Sequence, residues 1–174
     1  RGIGPAYGDK AARNGVRMGD FILEDRFTRL LEAQLAVKNK ALVAAGEAPL
    51  SKDAILAELL PAARRLRPFV ADTFEMLHAA VDARRAIWLE GAQGALLDLD
   101  LGTYPYVTSS NTHVGGLLSG CGLPPRSLSG VVGVAKAYAT RVGEGPFPTE
   151  DTGPIGEEIR KRGAEFGATT GRPR

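Results

Sequence analysis

The sequence predicts an α/β protein with a mainly parallel central sheet and a helical insertion in its N-terminal half. Two observations lead to this prediction. The first 85 residues hold 6 of the 22 glycines and place apolar residues at helical spacing, whereas the remaining residues hold 16 glycines and alternate short apolar runs with loops. The chain therefore divides into a mainly helical part, residues 1–85, and an α/β part, residues 86–174.

Three helices are predicted in the first part. Asp20 is a candidate cap for a helix over about residues 24–45, with apolar residues at helical spacing along it. Ser51 caps a second helix, which Pro61 bends or restarts because proline lacks the donor that a helix interior needs. A third helix has Pro68 in its first turn. Its predicted inward-facing residues are Phe69, Phe74, Leu77, Ala80 and Val81.

Two short apolar runs in the second part have the pattern of buried parallel strands. They are residues 86–89 (AIWL) and 130–138 (GVVGVAKAY). Short helices are predicted over residues 112–119 and 154–162. Ligands of an open α/β sheet lie beyond the carboxyl ends of the strands. We therefore expect ligand contacts in three places: residues 91–94, residues 140–149 and the C-terminal tail.

Composition excludes several classes of protein. Apolar residues make up 44% of the chain and charged residues 24%, as in a typical soluble globular protein, and no apolar run is long enough to span a membrane. The formal net charge of +2 supplies no strong field for duplex DNA or an anionic membrane. A single cysteine excludes an internal disulfide and a cysteine-based zinc cluster. We expect a cytoplasmic protein without nucleic-acid or membrane partners.

Two polar segments are candidate ligand sites, each with a simpler alternative. Gln93 lies between two glycines after the first predicted strand, where a ligand could approach the backbone closely, but the same glycines also suit a tight turn. Residues 103–112 (TYPYVTSSNT) offer hydroxyls and amides for a phosphate or a sugar. Such a segment is more often a loop that its own backbone contacts stabilise.

Two basic segments are candidate anion sites. Lys10, Arg13 and Arg17 follow a Gly/Pro loop and would share one face if the segment were helical, either as an anion site or as a solvated surface. Residues 167–174 (GATTGRPR) combine flexible glycines with arginines, whose fork binds a carboxylate or a phosphate. A solvated basic tail is the alternative there.

No metal site or nucleophilic triad is predicted. His78 and His113 lack ligand-like spacing, and Asp98 and Asp100 fit hydrogen-bonded loop anchors better than Mg²⁺ ligands. The Walker A pattern, GxxxxGK[ST], is absent from the chain.

Five ordered motifs resemble the central part of the adenylosuccinate synthetase family: GIGPAYGDKAARNGVR, EGAQGALLDLD, GTYPYVTSSNT, KAYATRVGEGPFPTE and GAEFGATTGRPR. The resemblance implies a P-loop NTPase-like sheet and a homodimer. It also implies the family's reaction, in which GTP and Mg²⁺ support the joining of IMP to L-aspartate. The 6-oxygen of IMP is phosphorylated, and the aspartate amine then displaces that phosphate.

The resemblance assigns roles residue by residue. Lys10 matches an active-site lysine, and Arg13 matches an arginine that reaches the IMP phosphate in the neighbouring subunit. Gln93 and Thr108 match contacts with the reacting base and the phosphate of IMP. Val142 matches a residue that lines the ribose.

The C-terminal segment resembles the family loop that closes on aspartate, over Ala168, Thr169, Thr170, Gly171, Arg172, Pro173 and Arg174. By this resemblance Thr169, Thr170 and Arg172 hold the carboxylates or the IMP ribose, and Arg174 also approaches GTP. The chain departs from the family pattern at Leu101, Pro173 and Ala95, where histidine, arginine and threonine are usual.

The resemblance further implies that the chain is a fragment. The family's catalytic aspartate base, its histidine acid, its Mg²⁺ ligands and its guanine-recognition segment have no counterpart in these residues. We therefore expect the isolated chain to lack synthetase activity. The alternative hypothesis is a noncatalytic nucleotide-binding or dimerisation module.

Overall fold

The computed structural model of the protein describes residues 2–167 and 171–174. It contains two compact units, one over Pro5–Met76 and the other over Arg1–Gly4 with Leu77–Arg174. The described residues form seven α-helices, which are α1 (Ile3–Ala11), α2 (Met18–Phe21), α3 (Glu24–Ala44), α4 (Lys52–Leu66), α5 (Thr73–Asp82), α6 (Val114–Cys121) and α7 (Pro154–Arg162). Short 3₁₀ turns lie at Arg67–Phe69, Ala95–Leu97 and Pro125–Ser127.

The core of the helical unit lies between α3 and its neighbours. Phe27, Leu31 and Leu35 are buried in one cluster, as their spacing of four along a helix requires. Phe21 of α2 packs edge-on against Phe27 with ring centroids 5.0 Å apart. The partly buried residues packed against this cluster are Phe21, Ile55, Leu56, Leu59 and Leu60.

The first two helix predictions are largely confirmed. α3 ends close to the predicted position, and the Ser51 hydroxyl accepts a hydrogen bond from the backbone N–H of Ala54 at 3.3 Å at the start of α4. Asp20, however, is not the cap of α3. It belongs to the separate short turn α2, and Leu23 occupies the cap position without a side-chain hydrogen bond. α4 continues through Pro61 to Leu66.

The third helix starts later than predicted. Pro68 lies in the 3₁₀ turn, and α5 begins at Thr73 because the Asp72 carboxylate accepts hydrogen bonds from the backbone N–H groups of Phe74 and Glu75. Phe69 precedes α5, and both Phe69 and Phe74 are exposed rather than inward-facing. The short helix predicted over residues 112–119 is observed as α6, and the one predicted over residues 154–162 is observed as α7.

The predicted parallel sheet is not confirmed. Within residues 2–167 and 171–174, the segments 86–89 and 130–138 form no strand, and the one bridge is antiparallel, between Phe166 and Pro173. A strand exists through hydrogen bonds to a neighbouring strand, and no described segment supplies them here. Trp88 and Val134 are accordingly 82% and 95% exposed, against the expectation of burial.

No helix in the described part of the chain is long and apolar enough to cross a membrane.

Candidate functional site

Asp98 is the buried centre of the polar loop that carries Thr108. Its carboxylate is 1% exposed and accepts backbone hydrogen bonds from Asp100 and Leu101 at 3.0 Å and from Thr112 at 2.6 Å. Burial alone raises the pKa of this carboxyl, but the hydrogen bonds from Leu101, Thr112 and Asp100 outweigh burial and hold the pKa far below its usual range. Asp98 is therefore an anionic loop anchor, as its sequence context predicted.

Thr108 is held in place through the backbone. Its N–H donates to the carbonyl of Leu97 at 2.8 Å, and the N–H of Thr103 donates to the carbonyl of Leu96 at 2.9 Å. The loop is thus organised by its own backbone contacts. This was one of the two interpretations of its sequence, the other being a binding site for a phosphate or a sugar. That organisation also gives Thr108 a fixed, half-buried position.

Gln93 occupies a strained position near this loop. Its φ of +64° lies in the left-handed region, which a residue with a side chain rarely adopts. The Thr112 hydroxyl donates to the carbonyl of Gly94 at 3.2 Å, so the turn is joined to the Asp98-centred loop. The side chain of Gln93 is exposed and can therefore reach a ligand.

Arg141 connects the Thr108 loop with the turn that carries Val142. Its Nη2 donates to the Thr103 hydroxyl at 3.1 Å and to the carbonyl of Tyr106 at 2.8 Å, while its Nε donates to the carbonyl of Glu144 at 3.0 Å. Sequence reasoning did not single out Arg141. Its position directly before Val142 was the available signal.

Arg172 lies beside the same turn. Its Nη1 is 4.0 Å from the position that a Cβ would take on Gly143, next to Val142. The structure therefore brings the segments of Thr108, Val142 and Arg172 into one region of the second unit.

Hydrogen bonds close the base of the C-terminal loop. The N–H of Gly167 donates to the carbonyl of Arg172 at 2.8 Å, and the N–H of Arg174 donates to the carbonyl of Glu165 at 3.0 Å. Pro173 pairs with Phe166 between these two bonds, at a position where its missing N–H is not needed. This explains how the loop accommodates the departure at Pro173. The predicted contacts Ala168, Thr169 and Thr170 lie outside the described residues.

A second buried carboxylate, Glu165, lies at the base of the C-terminal loop and is 9% exposed. It accepts hydrogen bonds from Lys136 Nζ and the Tyr138 hydroxyl, both at 2.9 Å, and its other oxygen lies 3.7 Å from Arg174 Nε. The hydrogen bond from Lys136, followed by that from Tyr138, lowers the pKa of Glu165. The bond to Glu165 raises the pKa of Tyr138. No local sequence pattern predicts this cluster.

Lys10 and Arg13 belong to the helical unit, and they do not share a helical face. α1 ends at Ala11, and Arg13 follows with a φ of +64°. The N–H groups of Asn14 and Gly15 bond back to the carbonyl of Asp9, which closes the helix end and turns the chain away. Lys10 Nζ lies 5.9 Å from the centroid of the Tyr7 ring.

Residues 2–167 and 171–174 contain no group of three or more His, Cys, Asp or Glu residues that could hold a metal ion. The buried oxygens of Asp98 are occupied by hydrogen bonds from the loop.

The fold of the chain matches that of a synthetase of known structure. A solved structure of the fully ligated adenylosuccinate synthetase from Plasmodium falciparum matches it with a TM-score of 0.90 and 40% identity, over 100% of this chain and 40% of that one. The family model described as adenylosuccinate synthetase matches residues 1–174. The chain belongs to the adenylosuccinate synthetase family.

Two curated relatives show the same similarity. The adenylosuccinate synthetases of Thermodesulfovibrio yellowstonii and of Prochlorococcus marinus subsp. pastoris are 51% and 53% identical to the chain over 175 aligned residues, which cover all of it. The chain spans 41% and 40% of their respective lengths.

Proposed function

We propose that the protein acts as an adenylosuccinate synthetase, which joins IMP to L-aspartate with GTP hydrolysis through a 6-phosphoryl-IMP intermediate. The observation that carries the proposal is the family match over all 174 residues. The arrangement of the loops in the second unit supports it, since the segments of Thr108, Val142 and Arg172 converge in one region.

The proposed IMP site uses complementary groups for each part of the nucleotide. The amide of Gln93 both donates and accepts, which suits the polar edge of the purine. Thr108 and Arg13 bind the phosphate, Arg13 from the neighbouring subunit of a homodimer. Val142 supplies an apolar wall for the ribose. Lys10 is the proposed active-site lysine. Its positive charge stabilises the phosphoryl group during its transfer.

The C-terminal loop is the proposed aspartate site. The guanidinium of Arg172 can bind a carboxylate with two parallel hydrogen bonds, and such pairing also orients the substrate. Ala168, Thr169, Thr170, Gly171 and Pro173 complete the loop, and Arg174 extends it toward GTP. Binding the aspartate carboxylates in this way would direct its amine at C6 of IMP, where it displaces the phosphate.

The described residues hold no group of three or more His, Cys, Asp or Glu that could hold a metal ion, and the buried Asp98 carboxylate accepts hydrogen bonds from its own loop. We propose that the metal ligands lie outside these 174 residues, together with the catalytic base, the catalytic acid and the guanine-recognition segment. By the same argument the isolated chain lacks synthetase activity. The division at residue 85, the parallel sheet of a P-loop NTPase-like fold and the cytoplasmic location stay predictions.

A grafted synthetase tests this function. It is the T. yellowstonii relative in which residues 1–174 of this chain replace the matching segment. We expect GTP-dependent formation of adenylosuccinate by the grafted synthetase and none by the 174-residue chain alone. A grafted protein that unfolds cooperatively but shows no turnover would contradict the proposal, and turnover by the chain alone would contradict its predicted inactivity.

The alternative function is a noncatalytic nucleotide-binding or dimerisation module. It is favoured for the isolated chain because the family's catalytic base, catalytic acid and guanine-recognition segment have no counterpart in these 174 residues. Calorimetry of the 174-residue chain with IMP, compared with Gln93→Ala and Arg172→Ala, tests it. Binding that both substitutions weaken supports a nucleotide-binding module, and absence of binding excludes the nucleotide-binding form of this alternative.

A further inference from the structure

Arg141 joins two segments that are distant in sequence. One nitrogen of its guanidinium, Nη2, donates to both the Thr103 hydroxyl and the carbonyl of Tyr106, while Nε donates to the carbonyl of Glu144 in its own turn. Nη2 lies 3.1 Å from the Thr103 hydroxyl and 2.8 Å from the Tyr106 carbonyl oxygen, and Nε lies 3.0 Å from the Glu144 carbonyl oxygen. The half-buried side chain thus fixes the turn of residues 141–145 against residues 103–106.

The fit around this guanidinium is close. Gly145 has a φ of +113°, and a Cβ at that position would collide with the Arg141 guanidinium and with the Tyr106 side chain. Glycine is therefore required where the turn meets the other segment. The donors of Arg141 have a rigid planar arrangement, and a lysine ammonium cannot reproduce their directions.

The two segments carry residues proposed to bind the same nucleotide. Thr108 follows Tyr106 closely in sequence, and its own N–H is fixed to the carbonyl of Leu97. Val142 is the neighbour of Arg141 in the chain. A change in the Arg141 contacts would therefore alter the spacing between the proposed phosphate contact and the proposed ribose contact.

We propose that Arg141 is a positioning residue for IMP, holding the Thr108 loop and the Val142 turn at the spacing that one nucleotide requires. This role rests on the proposed function for its substrate, but the tie between the loops can be measured without turnover. Arg141 acts through Thr108 and Val142 and needs no contact with IMP itself.

Hydrogen exchange in the ligand-free grafted synthetase tests whether Arg141 holds the two segments together. We expect Arg141→Lys to accelerate exchange in residues 103–108 and 142–145 by about tenfold or more, the range for losing hydrogen bonds to a charged group. The matched control is Arg126→Lys, because Arg126 is an exposed arginine of the same unit in the 3₁₀ turn Pro125–Ser127. Unchanged exchange in Arg141→Lys would overturn the proposal.

Substrate affinity then separates positioning from a merely structural role. In Arg141→Lys we expect the Kd for IMP, measured by calorimetry, and the KM for IMP to rise about tenfold, with the KM for GTP within about twofold of the unmodified protein. Added guanidinium should lower the Kd for IMP in Arg141→Ala. Faster exchange with an unchanged Kd for IMP would overturn the positioning role.

A second pair of variants covers the case in which Arg141 substitutions prevent folding. Thr103→Val removes one acceptor of the guanidinium, and Thr103→Ser retains it. We expect Thr103→Val to weaken IMP binding and Thr103→Ser to restore it, and equal affinities in the two would overturn the proposal. A folded graft that binds IMP in this Arg141-dependent way but makes no adenylosuccinate would contradict only the proposed function. If the folded graft does not bind IMP, both proposals fail.

Discussion

Lys136 donates a hydrogen bond to the carboxylate of Glu165 at 2.9 Å, and the same ammonium donates to the Thr140 hydroxyl at 2.7 Å. The pair links the segment before Val142 to the base of the C-terminal loop. Glu165 also lies 3.7 Å from Arg174, so one carboxylate holds both stretches of chain. The proposed ribose contact and the proposed aspartate loop therefore share an anchor.

This anchor predicts a pH-dependent stability. The hydrogen bond from Lys136, and next that from Tyr138, lowers the pKa of Glu165 in the folded protein. The resulting stabilisation is present above the unfolded-state pKa of about 4.3 and is lost as the pH falls through the lower folded-state pKa. We therefore expect Glu165→Gln to lower the free energy of unfolding most at neutral pH. The difference from the unmodified protein should shrink below about pH 4.

Urea unfolding between pH 3 and pH 7 measures this difference in the free energy of unfolding. Glu158→Gln is the matched control, because Glu158 pairs with the 81% exposed Arg162 on the surface of α7, where an ion pair contributes little. An equal difference for Glu165→Gln at pH 3 and pH 7 would rule out the ionised carboxylate as the stabilising group.

A second prediction concerns Asp98. Asp98→Asn replaces one acceptor oxygen with a donor inside a cluster of backbone N–H groups, so the amides of Leu101 and Thr112 should exchange at least about ten times faster. Asp100→Asn is the comparison, since Asp100 receives one side-chain bond, from Asn111 at 2.6 Å, among the hydrogen bonds described for its carboxylate. Protection of Leu101 and Thr112 that is unaltered in Asp98→Asn would show that the loop does not depend on this anion.

The helical unit yields a third prediction. Phe27 is 4% exposed at the centre of the α2–α3–α4 cluster, so Phe27→Ala should lower the free energy of unfolding by about 3–5 kcal/mol. Phe69→Ala should change it by less than about 0.5 kcal/mol, because Phe69 is 82% exposed. Denaturant unfolding of both variants checks this, and similar losses for the two would contradict the assigned core.

A fourth prediction uses the single tryptophan of the chain. Trp88 is 82% exposed, so its fluorescence in the 174-residue chain should be quenched by iodide nearly as strongly as that of a free tryptophan derivative. Weak quenching with blue-shifted emission would show that the 86–89 segment is covered in solution, for example by a second copy of the chain.

Local signals were sufficient for most helices. α7 was predicted with its observed bounds because its acidic residue lies in the first turn and its basic residues in the last. Ser51 was identified from its position before a helical pattern. The predicted start of the third helix rested on Pro68 alone, whereas the structure begins α5 at Thr73, where the Asp72 carboxylate accepts hydrogen bonds from the first backbone N–H groups.

The features that were not confirmed or not predicted concern interactions between distant parts of the chain. Residues 86–89 and 130–138 have apolar patterns typical of strands, but a pattern cannot supply the neighbouring strand that completes the hydrogen bonds. Arg141 and Glu165 act on partners more than 25 positions away in sequence, which no local spacing rule could connect. Family resemblance named the proposed contact residues, whereas only the structure revealed the side chains that hold their loops.

Gln93 and Arg13 both have a φ of +64°, in a region that costs a residue with a side chain about 1–2 kcal/mol. Glycine would relieve that strain at either position while deleting a proposed IMP contact. Selection for heat resistance alone would therefore favour glycine at both positions. The stabilised variants would bind the nucleotide more weakly. A thermostability library for this protein should leave codons 13 and 93 unchanged.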